Sequence, residues 1–283
     1  MRSRLPDDQD RVWAGSMPQA YERWLAPAMF RPFAVDLARR AARFAPRRLL
    51  EIAAGTGVLT RELVTAIPSA RVTATDLNAA MVEYGSRRVP LAAWRQADAL
   101  RLPFDDEQFD LIACQFGVMF FPDRPAAFRE MRRVLGPEGK VLFSTWGAVE
   151  THGFGAAVTA ALGHVFPRDP PTFLTDVPHG YCDLDEVAAD LAAGGLECVS
   201  ATPVTLEGHA SSAADIAAGF CTGTPLRAAI EARGEPAACT ALVADQMTAR
   251  FGPGPVTATM TAYVIEARPP ARPRPSAAQV EGT

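Results

Sequence analysis

Leu49-Leu50-Glu51-Ile52-Ala53-Ala54-Gly55-Thr56-Gly57-Val58-Leu59-Thr60 is the stretch that decides how this chain is read. Residues 48–52 have the pattern of a strand buried on both faces, and residues 58–67 place Val58, Leu59, Leu63 and Ile67 near helical spacing. The turn between them is made only of small residues. Gly55 and Gly57 admit positive φ and let a ligand approach bare backbone, and the first N–H groups of the following helix have no partner within it. A strand, a small turn and a helix in this order form a nucleotide site.

The chemistry beside the glycines narrows the nucleotide. A pyrophosphate site needs G-x-G-x-x-G and welcomes negative charge at the helix start. Here the third glycine is missing and Glu51 leads into the turn, so a pyrophosphate is repelled. A ligand that carries an ammonium and a sulfonium is favoured, and S-adenosylmethionine (SAM) is such a ligand. The stretch resembles motif I of the class I SAM-dependent methyltransferases, an acid followed by G-x-G-x-G, with Ala53 at the first glycine. The resemblance implies a cofactor site at Glu51, Ala53, Gly55 and Gly57, and S-adenosylhomocysteine as product.

Later residues extend the resemblance. Residues 70–77 alternate Val72, Ala74 and Asp76, which reads as the second strand, and Asp76 lies about 20 residues past the glycine turn, where an acid holds a ribose. A plain helix cap is the other reading of Asp76, although Asn78 can take that task. Leu77 would then lie against adenine, as would Met81, unless Met81 fills the core. Asp98, in Ala97-Asp98-Ala99, matches the family's acid for the adenine amino group; as a turn residue it would instead cap its own backbone. Ala99 and Gln115 complete the implied cofactor set. The run Leu102-Pro103-Phe104 through Asp110 is similar to the stretch joining strands three and four in the small-molecule branch, the ubiquinone and menaquinone type. The family implies a doubly wound α/β fold with a seven-stranded, mostly parallel Rossmann-like sheet in the order 3-2-1-4-5-7-6.

Composition agrees with this and excludes other classes. The chain has 283 residues, 48% of them hydrophobic, and a formal net charge of −4, enough for one full α/β core. No basic run is longer than a pair of arginines, which argues against a nucleic-acid partner. No apolar run reaches the roughly 18 residues of a membrane span, and the start has no apolar leader, so the expected location is the cytoplasm and no membrane partner is expected. Five cysteines without C-x-x-C spacing suit reduced thiols. No metal is implied, because the end of strand four carries Cys114-Gln115-Phe116 in place of a carboxylate.

The expected organisation is a single domain over 13–267, flanked by disordered residues 1–12 and a proline-rich disordered tail, 268–283. Its core comprises 33–147, 183–208 and 256–267. Pro27 and Pro32 are expected to break up the leading segment, and residues 33–44 to form an amphipathic helix. In the resembled family a Tyr in that leading segment often meets the cofactor, which makes Tyr21 a candidate; a core role competes. Gly136 to Gly139 should end a helix, with strand five over 140–146. Helical cap additions over 13–32, 148–182 and 209–255 would cover an acceptor with Phe116, Phe120, Trp146, Phe154 and Tyr181, or would form a homodimer interface. Those segments are apolar, so the expected acceptor is a small, partly hydrophobic or aromatic molecule. His152 and His179 are the candidate general bases; polar surface histidines are the alternative. Two other readings stay open: a SAM-binding protein that transfers no methyl, and a nicotinamide-dependent oxidoreductase.

Overall fold

Strand β1 (Arg48–Ile52) is exposed only at Arg48, as a strand flanked by helices on both faces must be. In the computed structural model, which describes residues 17–270, β1 pairs in parallel with β2 (Arg71–Asp76) on one side and with β4 (Phe109–Gln115) on the other. β3 (Ala93–Gln96) extends the sheet beside β2, and β5 (Leu135–Trp146) lies beside β4. β7 (Val256–Arg268) runs antiparallel to both β5 and β6 (Glu197–Ala210). The order is β3-β2-β1-β4-β5-β7-β6, as the family resemblance implies.

Right-handed crossovers need a helix between parallel strands, and the expected helices are present. They are α1 (Arg31–Ala42) before β1, α2 (Val58–Ala66), α3 (Ala79–Arg88) and α4 (Arg124–Val134). Asn78 caps α3 by accepting the Met81 N–H, which releases Asp76 from that duty. After β5 come α5 (Gly153–Val165), a four-residue helix Phe173–Asp176 and α6 (Leu184–Ala193). Between β6 and β7 stand α7 (Ala213–Gly223), α8 (Leu226–Glu231) and α9 (Pro236–Phe251).

Three local expectations are corrected. Pro27 and Pro32 do not interrupt the leading segment. A helical turn, Met17–Ala20, passes into a π-helical stretch, Tyr21–Phe30, and then into α1. The wide π turn holds Pro27, and Pro32 sits in the first turn of α1, where its missing N–H costs nothing. β5 begins at Leu135, since Gly136 to Gly139 form an irregularity in its pairing with β4. The last strand includes Arg268, which pairs with Glu197 and was expected to open the disordered tail. β6 and β7 remain paired to Ala210 and Val256, well past the Trp146–Ala262 end of the β5–β7 pairing, and this ribbon carries α7 to α9. Residues 1–12 and 271–283, expected to be disordered, lie outside the described residues. No helix among the described residues is long and apolar enough to cross a membrane.

Candidate functional site

A cavity of about 620 Å³ opens where the carboxyl ends of β1, β2, β4 and β5 converge, the crevice in which open α/β sheets bind ligands. Its floor is the turn after β1. Ala53, Gly55 and Gly57 all take positive φ, at 56°, 55° and 87°. The turn is pinned from β2: the Ala54 N–H donates to the Thr75 carbonyl at 2.9 Å, and the Gly55 N–H donates to Asp76 Oδ2 at 2.8 Å. Asp76 Oδ1 accepts the Asn78 N–H at 2.9 Å. Asp76 therefore shapes the turn and also lies in the cavity wall.

The glycines divide the work. A Cβ on Gly55 would meet nothing within 4 Å, so bare backbone there borders open cavity. Gly57 was expected at the cofactor but is not in the cavity wall; a Cβ on it would stand 3.2 Å from Trp94 and Val89, so packing beneath the turn requires it. Ala53 holds a backbone that glycine favours, at a cost of roughly 1–2 kcal/mol. Its methyl fits because residue 117 is glycine, where a Cβ would come within 2.6 Å of it.

Glu51 lines the cavity and is 1% exposed, and its Oε2 has no hydrogen-bond partner among the described residues. Burial pushes its carboxyl up to about 8, Asp76 adds to the rise, and Thr60 offsets only part of it. Gln115 donates from Nε2 to the Phe30 carbonyl at 3.2 Å, while its buried Oε1 has no partner among the described residues. Two buried acceptors beside an open backbone cradle fit a ligand that brings N–H donors and positive charge. Leu77, Met81, Asp98 and Ala99 line the same cavity. Leu77 is 38% exposed, an apolar side chain left for a flat ligand to cover. Asp98 also accepts the Leu100 N–H at 2.9 Å, so it serves its turn and the wall together.

The π-helical stretch roofs this end. Tyr21, Leu25, Met29 and Phe30 line the cavity. Burial, with Glu22 and Asp76 nearby, holds the Tyr21 phenol well above its ordinary range. Glu22 fastens the roof to the floor, accepting from Thr56 Oγ1 at 2.8 Å and pairing with Arg61 and Arg88 at 3.2 and 3.1 Å. The sequence reading missed this clamp, since an acid and two arginines far apart in the chain carry no local signal.

At the other end Phe116, itself at positive φ, stacks on Trp146 with ring centroids 3.7 Å apart. Phe120, His152 and His179 line this end with Phe173 and Phe220. Phe173, which opens the short helix after Pro170 and Pro171, was not among the sequence candidates. Two expected wall residues lie elsewhere. Phe154 is buried in the core against Phe251 and outside the cavity wall. Tyr181 is fully buried behind it, its hydroxyl donating to Asp190 at 3.1 Å and its ring under Arg124.

Comparison with known proteins agrees with this geometry. A family model described as a methyltransferase domain matches residues 50–143. A demethylmenaquinone methyltransferase of Corynebacterium urealyticum is 33% identical over 162 residues, 54% of this chain and 68% of that protein. A malonyl-[acyl-carrier protein] O-methyltransferase of Halorhodospira halophila is 39% identical over 113 residues, 38% of this chain and 37% of that one. The matched segments thus span about half the length of such relatives. Among solved structures, a phosphoethanolamine N-methyltransferase of Haemonchus contortus shares the fold, with a TM-score of 0.59 and 16% identity over 94% of this chain and 60% of that one. Motif turn, strand order and relatives together show that the chain belongs to the class I SAM-dependent methyltransferase family.

Proposed function

We propose that this protein binds SAM at the carboxyl ends of β1 to β4 and transfers its methyl group to a small, partly hydrophobic or aromatic acceptor. The observation that carries this reading is Glu51 Oε2, a buried carboxylate oxygen without a partner among the described residues, at the edge of an open glycine cradle. An ammonium supplies what that oxygen lacks. SAM supplies an electrophilic methyl on a sulfonium.

The residues divide into holding and covering. Glu51 takes the ammonium and Asp76 the ribose hydroxyls. Leu77, Met81 and Ala99 hold the adenine, with Asp98 at its amino group, and Gly55 lets the ligand meet bare backbone. Gln115 Oε1 offers one more acceptor, and Tyr21 closes the roof. Phe116, Phe120 and Trp146 face the acceptor. Holding two reactants aligned supplies roughly 7–11 kcal/mol of the barrier reduction, and the roof clamped by Glu22 excludes water. The described parts of the cap segments 13–32, 148–182 and 209–255 contribute to the cavity wall, so we read them as the acceptor's cover and not as a homodimer interface. The five cysteines are unpaired thiols, in keeping with action in the cytoplasm.

Isothermal titration with SAM, S-adenosylhomocysteine and NADH tests the reading. Binding of the first two and none of NADH is expected. NADH binding in their place would restore the oxidoreductase reading, and SAM binding without formation of S-adenosylhomocysteine across an acceptor panel would leave a binding protein.

A further inference from the structure

At the end of the cavity away from Glu51, two imidazoles share one wall, and the backbone sets which nitrogen of each carries the proton. The Gly155 N–H donates to His152 Nδ1 at 2.9 Å, so that nitrogen holds the lone pair and Nε2 holds the proton. The Gly147 carbonyl can only accept, so His179 Nδ1, 2.7 Å from it, carries the proton and Nε2 the lone pair. The rings therefore hold opposite tautomers, one donor and one acceptor, with centroids 5.2 Å apart. Both are buried, and burial lowers the proton affinity of each below the ordinary histidine value, although Glu150 raises that of His179 somewhat. Both rings are neutral near pH 7. A Cβ on Gly155 would stand 3.2 Å from His152 Nδ1 and 3.3 Å from His179 Nε2, so glycine there lets the two rings come together.

The surroundings select what this pair can hold. Trp146 meets the His152 ring edge-on at 4.6 Å and lies flat on Phe116, which makes the wall aromatic. Among the described residues lining the cavity, the carboxylates are Glu51, Asp76 and Asp98, all on the β1 to β3 side, and there is no Lys or Arg. A carboxylate acceptor would meet no cation here, and an ammonium would meet no anion. A neutral hydroxyl suits both histidines at once, because its oxygen accepts from one N–H while its hydrogen donates to one lone pair.

We propose that His152 and His179 form a hydroxyl-recognition site for a flat aromatic alcohol of the phenol class, with His152 Nε2–H holding the oxygen and His179 Nε2 accepting its proton. This rests on the methyl-transfer reading and makes the reaction an O-methylation. The O–H bond breaks as its proton passes to His179, an oxygen electron pair forms the new O–CH3 bond, and the methyl–sulfur bond breaks with its electrons left on the thioether sulfur. The imidazolium then returns its proton to solvent.

The test uses the full chain saturated with S-adenosylhomocysteine and titrated with 2-naphthol, 2-methoxynaphthalene and 2-naphthoate, with naphthyl fluorescence as the readout. 2-Naphthol should bind at least about tenfold more tightly than the ether, which cannot donate, and than the carboxylate, which finds no cation. His179→Ala and His152→Ala should each weaken naphthol binding about tenfold and leave S-adenosylhomocysteine affinity within about twofold. With SAM, His179→Ala should lower kcat for naphthol methylation about 10²–10⁴-fold, whereas His152→Ala should act mainly on KM. If His179→Ala loses S-adenosylhomocysteine binding through misfolding, His179→Gln takes its place with the same expectation. A wild-type chain that fails to bind S-adenosylhomocysteine would overturn the methyltransferase reading itself. One that binds it but prefers naphthoate or the ether, or whose naphthol affinity is unmoved by the histidine variants, overturns this proposal alone.

Discussion

Raising the pH from about 5.5 to about 7 should tighten SAM binding while shrinking what Glu51 contributes to the stability of the unliganded fold, two opposite trends that arise from one side chain. In the unliganded protein burial lifts Glu51 from 4.5 to about 8. Between those values the native chain keeps a proton on Glu51 that the unfolded chain has already released, so the stability that Glu51 contributes falls as pH rises, while His152 and His179, buried and neutral, act in the opposite direction. For this one site the slope is at most about 1.4 kcal/mol per pH unit. Binding runs the other way. An ammonium beside the carboxylate favours its charged form, so each ligand bound expels close to one proton, and the Kd falls up to about tenfold per unit below pH 8. The ligand's own amino group titrates near 7.7–8.0 if it behaves as a peptide α-amino group, which makes pH 5.5 to 7 the clean window. Calorimetry at pH 6.5 in two buffers of different ionisation enthalpy counts the protons directly. Glu51→Gln should weaken SAM and abolish the binding slope, and the wild-type stability minus that of the variant should fall as pH rises, at no more than about 1.4 kcal/mol per unit. Proton release near zero with a flat Kd in the wild type would show that Glu51 is not the partner of the ammonium.

The remaining predictions probe the turn and its roof. Asp76→Ala removes the acceptor of the Gly55 and Asn78 N–H groups, contacts worth roughly 1.5–3 kcal/mol each to a charged acceptor. Urea unfolding should show lower stability and titration a SAM affinity down at least about 100-fold; an affinity within twofold in a folded variant would remove Asp76 from the cofactor site. Gly117→Ala places a methyl 2.6 Å from that of Ala53 and 2.7 Å from Cys114 Sγ, overpacking that should cost about 1–3 kcal/mol. Adding Ala53→Gly should recover part of that loss in a double-mutant cycle, and strictly additive effects would disprove the contact. Glu22→Gln weakens the clamp on Thr56, Arg61 and Arg88, so stopped-flow experiments should show faster release of S-adenosylhomocysteine, and an unchanged rate would mean that the roof does not gate the site.

The central strand and the turn were legible because their signals are local and strict, whereas the strand order came with the family resemblance that the turn carries. Two buried faces give a continuous apolar run, and positive φ calls for small residues at fixed positions. Asp76 announced itself through its distance from the turn, although its grip on the Gly55 amide, which the structure adds, could not be read from spacing. Gly57 was misplaced because the sequence shows that a glycine is wanted but not which side is crowded. Phe154 and Tyr181 failed for a related reason: an aromatic in an apolar segment looks the same whether it faces a cavity or a neighbouring helix. The proline reading of residues 17–42 erred on backbone grounds, since a π turn accepts Pro27 where an α turn would break.

The two ends of the cavity were therefore unequally readable, and the inequality is physical. The cofactor end is built largely from backbone, an arrangement that only a few residue types permit, so its constraint is written into neighbouring positions. The aromatic end is built from side chains delivered by separate elements: Phe116 after β4, Trp146 at the end of β5, His152 capping α5 and His179 after the short helix at Phe173–Asp176. Each of these is unremarkable in its own stretch of sequence. What gives the histidines a definite chemistry is the choice of nitrogen made by Gly147 and Gly155, two main-chain groups with nothing in their residue names to announce it. It follows that relatives sharing only the cofactor motifs need not share the acceptor. A relative with His152 and His179 replaced should keep SAM affinity and lose the preference for a hydroxyl.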